Sequence, residues 1–141
     1  MGVFKLINND ILKDMIDEAI NVREFAYSPY SKFKVGASIL FENGKIYSGC
    51  NIENASFGAT NCAERTAIFK AVSEGMKIIQ AVCVFGSFQE FTYPCGICRQ
   101  VIIEFAKDDN IPVIVAKSRE FFQVHKLKDI NPFGFSKKDL V

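Results

Sequence analysis

The sequence lacks both a long hydrophobic run and an excess of charge of one sign. Its longest uninterrupted apolar run is Ala81–Phe85, far shorter than the roughly 20 residues of a membrane-spanning helix. Its formal net charge is only +1, so we expect no basic surface that would follow the phosphates of a nucleic acid. Residues 1–6 lack the apolar stretch of a signal peptide, which favours a cytoplasmic protein. The sequence therefore predicts neither a membrane nor a nucleic-acid partner.

Disordered proteins are poor in apolar residues, and this sequence is rich in them. Of its 141 residues 49% are hydrophobic, and 14 are Phe. The length is typical of one folded unit, so we expect a single domain over residues 1–141. The mean hydropathy is +0.12, which together with the many Phe residues predicts apolar surface buried between subunits.

Histidine is scarce, and the cysteines do not indicate a disulfide framework. There are five cysteines, an odd number, and in a cytoplasmic protein they are typically core residues, redox groups or metal ligands. Cys50 and Cys83 lie in or beside predicted strands, so we expect buried thiols there. The single histidine, His125, has no cysteine near it in the sequence, and we expect a structural or surface role for it.

Helical and strand patterns alternate along the chain. A first helix, capped by Asn9 or Asp10, is predicted to continue through Ala26 and to be ended by Ser28-Pro29. The Asn43-Gly44 pair is typical of a two-residue hairpin turn. The other predicted helices are 62–74 and 95–107, and the predicted strands are 33–41, 45–50, 78–85, 112–116 and 120–126.

The predicted strands belong to one layered domain. The first strand, 33–41, alternates apolar and mostly smaller or polar residues, which predicts one buried face. Only Lys117–Arg119 separates the last two strands, which is too short for a parallel crossover, so these strands should pair antiparallel. The order of elements predicts an α/β fold in which helices cover both faces of one central sheet.

Two cysteine motifs stand at predicted helix starts. Cys62-Ala-Glu64 opens the second helix, and Pro94-Cys95-Gly-Ile-Cys98 opens the third. A helix N-terminus favours thiolate, and cysteines three residues apart there project to the same side. Cys62, Cys95 and Cys98 would thus supply three ligands and leave a fourth position open, which is typical of a catalytic zinc. Glu64, two residues from a ligand, can then transfer a proton from water.

Other interpretations of these motifs stay open at this point. A lone Cys-x-x-Cys also occurs in redox pairs and in zinc ribbons. A redox pair would leave Cys62-Ala-Glu64 unexplained, and a zinc ribbon needs a second Cys-x-x-Cys, which the sequence lacks. Coincidence is the remaining alternative, and the occurrence of both motifs at helix starts argues against it.

Four longer segments match a known pattern. They are Ala26-Tyr-Ser-Pro-Tyr-Ser-Lys-Phe-Lys-Val-Gly-Ala37, Gly49-Cys-Asn-Ile-Glu-Asn-Ala55, Cys62-Ala-Glu-Arg-Thr-Ala67 and Cys95-Gly-Ile-Cys-Arg-Gln100. With them the sequence resembles the small nucleoside enzymes of the zinc-dependent cytidine deaminase superfamily, from the first helix to Phe135. The resemblance implies a three-layer α/β/α sandwich around a five-stranded mixed sheet, one Zn²⁺ per chain and a homotetramer.

The resemblance implies roles at the metal. Cys62, Cys95 and Cys98 resemble the zinc ligands, and Glu64 resembles the residue that shuttles protons. Arg65 resembles an arginine beside the first ligand. Three thiolates leave Zn²⁺ with a net charge of −1, and hydrogen bonds from a guanidinium to the thiolates would restore the acidity of the metal.

The resemblance also implies substrate-binding residues. Asn51 and Glu53 resemble the pair that hydrogen-bonds the ribose 3′-hydroxyl. Phe33 and Ala63 resemble residues of the pocket, and Phe135 resembles a ring that reaches the pyrimidine from a neighbouring subunit. Without the resemblance, Phe33 would be interpreted as a core residue of its strand, and Phe135 as packing within its own subunit.

The implied activity is hydrolytic deamination of the small-molecule nucleosides cytidine and 2′-deoxycytidine to uridine and 2′-deoxyuridine, in pyrimidine salvage. The alternatives are deamination of a related nucleoside analogue, of a nucleotide or of a polynucleotide. The polynucleotide branches generally have histidine as first ligand and a helix between their last two strands. A zinc-stabilised binding module without catalysis is a further alternative, but it would have no use for Glu64. Phe57 stands where the family commonly has Tyr, which predicts a lost contact on the 5′ side of the sugar.

Overall fold

The structure, a computed structural model, describes residues 7–140. Within them, helices and strands alternate around one sheet, as the sequence predicts. The helices are α1 (Asn9–Arg23), α2 (Ala63–Ser73), α3 (Gly96–Phe105) and α4 (Leu127–Ile130), and the strands are β1 (Gly36–Phe41), β2 (Ile46–Cys50), β3 (Ile79–Phe85), β4 (Pro112–Ala116) and β5 (Phe122–Lys126). No helix in this part of the chain has the length and apolar character needed to cross a bilayer.

The five strands form one mixed sheet in the order β2-β1-β3-β4-β5. β1 pairs antiparallel with both β2 and β3, and β3 pairs parallel with β4. The hairpin predicted for the last two strands is confirmed, because β4 and β5 pair antiparallel with Ala116 opposite Phe122. In the sheet Gly36 lies between Cys50 and Phe85, so β1 begins where β2 and β3 end. The loops that flank these three positions therefore meet at one edge of the sheet.

Helices cover both faces of the sheet, which confirms the three-layer α/β/α architecture. On one face, the apolar stripe of α1 (Leu12, Met15, Ile16 and Ala19) packs against alternate residues of the central strands, such as Leu40. On the other face α2 and α3 pack against the complementary set, including Ile39, Phe41 and Val82. Because side chains alternate across a strand, the two cores share one sheet without sharing residues.

The first strand is shorter and more deeply buried than predicted. β1 begins at Gly36 instead of residue 33, and all six of its residues are buried. The prediction of one buried face was wrong because helices pack on both faces of this central strand. Phe33 and Val35 lie outside the sheet, where the side chain of Asn51 takes the hydrogen bonds of the Val35 amide and the Phe33 carbonyl.

The first helix also differs at both ends. Asn8 is the N-cap, since its Oδ1 accepts a hydrogen bond from the Ile11 amide at 2.8 Å, so the prediction of Asn9 or Asp10 was one or two residues late. The helix ends at Arg23, before the predicted Ser28-Pro29. Tyr27 instead exchanges backbone hydrogen bonds with the chain after β2, donating to Asn51 and accepting from Glu53.

Candidate active site

A cavity of about 250 Å³ lies at the edge of the sheet where β1 begins and β2 and β3 end. Two close approaches shape it. A Cβ at Gly49 would lie 2.5 Å from the Ala67 nitrogen, so glycine lets α2 pack closely on β2. A Cβ at Gly86 would lie 2.8 Å from the Phe33 ring, so glycine lets the loop after β3 fold against that ring. The lining residues are Ser31, Phe33, Val35, Asn51, Glu53, Thr60, Asn61, Cys62, Ala63, Glu64, Thr92, Tyr93 and Cys95.

Three thiols converge beside the cavity, and two of them, those of Cys62 and Cys95, belong to residues that line it. Cys62 and Cys95 are the N-caps of α2 and α3, and Cys98 lies in the first turn of α3. Their sulfur atoms all lie within 4.8 Å of one another, and those of Cys62 and Cys95 are 3.7 Å apart. A zinc ion with tetrahedral geometry and Zn–S bonds of about 2.3 Å places its sulfur ligands about 3.8 Å apart. The thiols therefore fit three corners of a zinc tetrahedron, with the fourth corner left to a non-protein ligand.

One of the three thiols, that of Cys62, favours its negatively charged form without a cation. A hydrogen bond from Cys98, then bonds from Arg65 and Cys95, lower the pKa of Cys62 to about 5 against the effect of burial. The same contact with Cys62 raises the pKa of Cys98, because two thiolates so close together repel each other. A divalent cation would remove this repulsion, since its charge stabilises several thiolates at once.

Arg65 lies one turn into α2 from the cysteine that caps the helix. Its Nη2 donates a hydrogen bond to the Cys62 sulfur at 3.2 Å. Its buried Nε has no hydrogen-bond partner among residues 7–140. Arg65 thus contacts the thiol that its predicted role requires, and its charge is directed to the cysteine cluster.

Glu64 is a buried carboxyl group beside the thiols. Its residue is 4% exposed, and it lies in the first turn of α2 at the cavity wall. Burial, reinforced by the negative charge of Cys62, raises the pKa of Glu64 to about 7. A carboxyl group with a pKa near neutrality can both accept and donate a proton, which is the property of a general acid and base.

Asn51, the residue after β2, fixes the backbone of the cavity wall at Phe33 and Val35. Its Oδ1 accepts a hydrogen bond from the Val35 amide and its Nδ2 donates to the Phe33 carbonyl, both at 2.8 Å. One N–H of this amide remains available for a ligand. The side chain therefore shapes the pocket and can still donate into it.

Glu53 is held by the segment before β1. Its Oε1 accepts hydrogen bonds from the amides of Tyr30 and Ser31, both at 3.0 Å, and its Oε2 accepts from the Ser31 hydroxyl. These bonds, the hydroxyl first, lower the pKa of Glu53 below its ordinary value of 4.5. The side chain therefore presents a carboxylate acceptor to the cavity.

The structure brings most of the predicted site residues together. Phe33, 44% exposed, and Ala63, the first residue of α2, both line the cavity beside Asn51 and Glu53. Phe135 is not among the lining residues of its own chain and is 56% exposed. Phe57 is 78% exposed and makes an edge contact with Tyr30 at 6.3 Å between ring centroids.

Sequence reasoning did not identify six further lining residues, which are Ser31, Val35, Thr60, Asn61, Thr92 and Tyr93. The Tyr93 hydroxyl donates to Gln123 at 2.9 Å and lies 3.5 Å from Nε2 of His125. His125 thus supports the cavity wall and is not one of the clustered metal ligands. Proximity to the Pro94-Cys95 motif is the one signal in the sequence that could have indicated Thr92 and Tyr93.

Comparison with known proteins agrees with this geometry. The profile of the cytidine and deoxycytidylate deaminase zinc-binding region matches residues 10–115. The chain belongs to this deaminase family. A cytidine deaminase of Sporosarcina psychrophila is 46% identical over 92% of this chain and 94% of its own length. A probable cytidine deaminase of Dictyostelium discoideum is 42% identical over 96% of this chain and 90% of its own.

Solved structures confirm the deaminase fold. The crystal structure of a cytidine deaminase from Burkholderia pseudomallei superposes with a TM-score of 0.80 at 41% identity, covering 86% of this chain and 97% of that one. The matched zinc-binding region includes Cys62, Cys95 and Cys98, the cluster that fits one zinc ion per chain. In this deaminase the prediction of a zinc cofactor is therefore confirmed.

Proposed function

We propose that the protein is a single-domain enzyme that hydrolyses cytidine and 2′-deoxycytidine to uridine and 2′-deoxyuridine, with release of ammonia. The observation that carries this proposal is the position of Glu64, buried beside three converging thiols at the wall of one small cavity. A zinc site that only stabilises a fold closes all four positions and needs no such carboxyl group. The relatives named as cytidine deaminases support the choice of substrate.

In the reaction, the C4–N bond of the pyrimidine breaks and a C4–O bond to water forms. The chemistry that zinc supplies, held by Cys62, Cys95 and Cys98, is Lewis acidity, which makes water a nucleophile near neutral pH. Glu64 first moves one proton from water to N3. It then moves the second proton from the new C4 hydroxyl to the amino group. The amino group leaves as ammonia, and the Glu64 side chain is again a carboxylate.

The remaining residues of the site are proposed to hold and tune this chemistry. Arg65 draws negative charge from the Cys62 thiolate at 3.2 Å, which keeps the zinc acidic. Asn51 and Glu53 bind the ribose 3′-hydroxyl. Asn51 donates its free N–H to this hydroxyl, and the Glu53 carboxylate accepts a hydrogen bond from it. Phe33 and Ala63 form walls for the pyrimidine.

We propose a homotetramer in which Phe135 of one subunit completes the pocket of another. Exposed aromatic side chains support it: Phe57, Phe133 and Phe135 are each more than half exposed in the single chain. Association would remove such surface from water. We place the enzyme in the cytoplasm and its activity in pyrimidine salvage, where free nucleosides are the substrates.

A direct assay tests the proposed activity against its nearest alternative. The zinc-loaded protein is incubated with cytidine, cytidine monophosphate or a cytosine-containing oligonucleotide, and ammonia and the uracil product are quantified. We expect one ammonia per uridine from cytidine, and slow or no turnover of the phosphorylated substrates. Faster deamination of the nucleotide or oligonucleotide would contradict the proposal.

A further inference from the structure

We infer that Ser31 is a positioning residue that orients the Glu53 carboxylate toward a sugar hydroxyl. The inference deepens the proposed function and rests on it, because it concerns how the nucleoside is recognised. Both residues line the same cavity, Ser31 before β1 and Glu53 after β2.

The contacts at Glu53 leave one direction for a further hydrogen bond. Each carboxylate oxygen accepts about two hydrogen bonds. The Tyr30 and Ser31 amides fill Oε1, and the Ser31 hydroxyl takes one of the two positions at Oε2. The remaining position of Oε2 is therefore the acceptor that faces a ligand, and the Ser31 hydroxyl fixes its direction.

The direction of the Ser31 hydroxyl is itself fixed. Its oxygen accepts a hydrogen bond from the Phe33 amide at 3.0 Å, so its proton is left to point at Glu53. Lys32, which lies between Ser31 and Phe33, adopts the left-handed conformation with φ of 60°, and its amide donates a hydrogen bond to the Ser28 carbonyl. The turn thus connects the wall at Phe33 to the carboxylate at Glu53 through one hydroxyl group.

A positioning role makes a prediction that a purely structural role does not. Loss of the Ser31 hydroxyl should weaken the binding only of nucleosides whose sugar has the hydroxyl group that donates a hydrogen bond to Glu53. A general distortion of the turn would instead move Phe33 as well, and would weaken the binding of every pyrimidine nucleoside equally.

Steady-state kinetics of Ser31→Ala on cytidine, 2′-deoxycytidine and 3′-deoxycytidine separates these outcomes. We expect KM to rise about three- to tenfold for the first two substrates, since one hydrogen bond to a charged group is lost. KM for 3′-deoxycytidine and kcat for all three should stay within about twofold of the wild type. Ser31→Thr, which keeps the hydroxyl, should restore KM. Ser28→Ala is the matched control, because the Ser28 hydroxyl makes no hydrogen bond with residues 7–140.

A second variant keeps the test independent of folding. In a Glu53→Gln background, Ser31→Ala should have little further effect on KM, because the carboxylate on which Ser31 acts is gone. An equal rise of KM on all three substrates, or no rise on any, would overturn the role of Ser31 while leaving the deaminase activity standing. A wild-type enzyme that releases no ammonia from cytidine would instead overturn the proposed function itself.

Discussion

The sulfur atoms of Cys62 and Cys95 lie 3.7 Å apart although the two residues are 33 positions apart in the sequence. Each cysteine caps a helix, and both helices pack on the same face of the sheet. The sheet thus brings two helix N-termini to one point, where partial positive charge and free N–H groups favour thiolates. The metal centre is a consequence of the layered architecture as well as of the cysteine spacing.

The first prediction concerns the metal. Cys95→Ala should lose zinc and cytidine deamination together, because two thiols do not complete a site that needs three. Metal analysis of the purified variant, with activity measured on the same sample, checks this. Cys83→Ala is the control, since Cys83 is buried in the core beneath α1, and it should keep one zinc per chain. A fully metallated, active Cys95→Ala protein would end the assignment.

The second prediction concerns Asn51. Asn51→Ala leaves the Val35 amide and the Phe33 carbonyl without their partner, so the free energy of unfolding should fall by about 1–3 kcal/mol. KM for cytidine should rise as well, because the wall at Phe33 loosens. Urea denaturation and steady-state kinetics measure the two effects. Asn110→Ala, at an exposed turn, should change neither quantity, and an equally stable Asn51→Ala protein would show that the amide does not hold the wall.

The third prediction concerns pH and Glu53. The pKa of Glu53 lies below 4.5 because the Ser31 hydroxyl and two amides favour the carboxylate. A lowered pKa in the folded state means that these bonds stabilise the fold above pH 4.5. That stabilisation is lost as the pH falls through the lowered value. NMR titration of labelled glutamate side chains should show this midpoint moving up in Ser31→Ala, and a wild-type midpoint at or above 4.5 would contradict the account.

The fourth prediction concerns assembly. Light scattering should show a homotetramer, and Phe135→Ala should raise KM for cytidine about tenfold through the loss of a stacking contact of roughly 1–3 kcal/mol. Phe121→Ala, exposed on the turn between β4 and β5, serves as the control and should leave KM unchanged. A monomer that deaminates cytidine at full rate would show that each chain builds a complete site, and Phe135 would then be a packing residue.

Much of the fold and of the metal cluster could be predicted from sequence because the signals are local. The three-residue spacing of Cys95 and Cys98 puts both thiols on one side of a helix start. The three-residue connection Lys117–Arg119 excludes a parallel crossover between the last two strands. The start of β1 could not be predicted in this way. Phe33 and Val35 continue the apolar alternation, but the strand begins only at Gly36, because the side chain of Asn51 takes the hydrogen bonds of the Val35 amide and the Phe33 carbonyl.

Several residues of the cavity wall could not be predicted from local sequence signals either. Thr92 and Tyr93 enter it because the loop after β3 folds against Phe33 over Gly86, a tertiary contact with no periodic signature. The contact of Ser31 with Glu53 joins two loops across 22 residues and likewise has no local pattern. The role proposed for Phe135 needs a neighbouring subunit, so no pattern within one chain could position this ring.

We propose that Glu64 moves the protons of a zinc-dependent deamination, and the Glu64→Gln variant removes this function without removing a zinc ligand. Glutamine keeps the shape of the side chain but carries no transferable proton, so zinc content should stay at one per chain. Turnover of cytidine should fall by at least about 10²–10⁴-fold. Glu74→Gln, at the exposed C-terminal end of α2, should leave both quantities unchanged. Near-normal turnover by a zinc-containing Glu64→Gln protein would contradict the account.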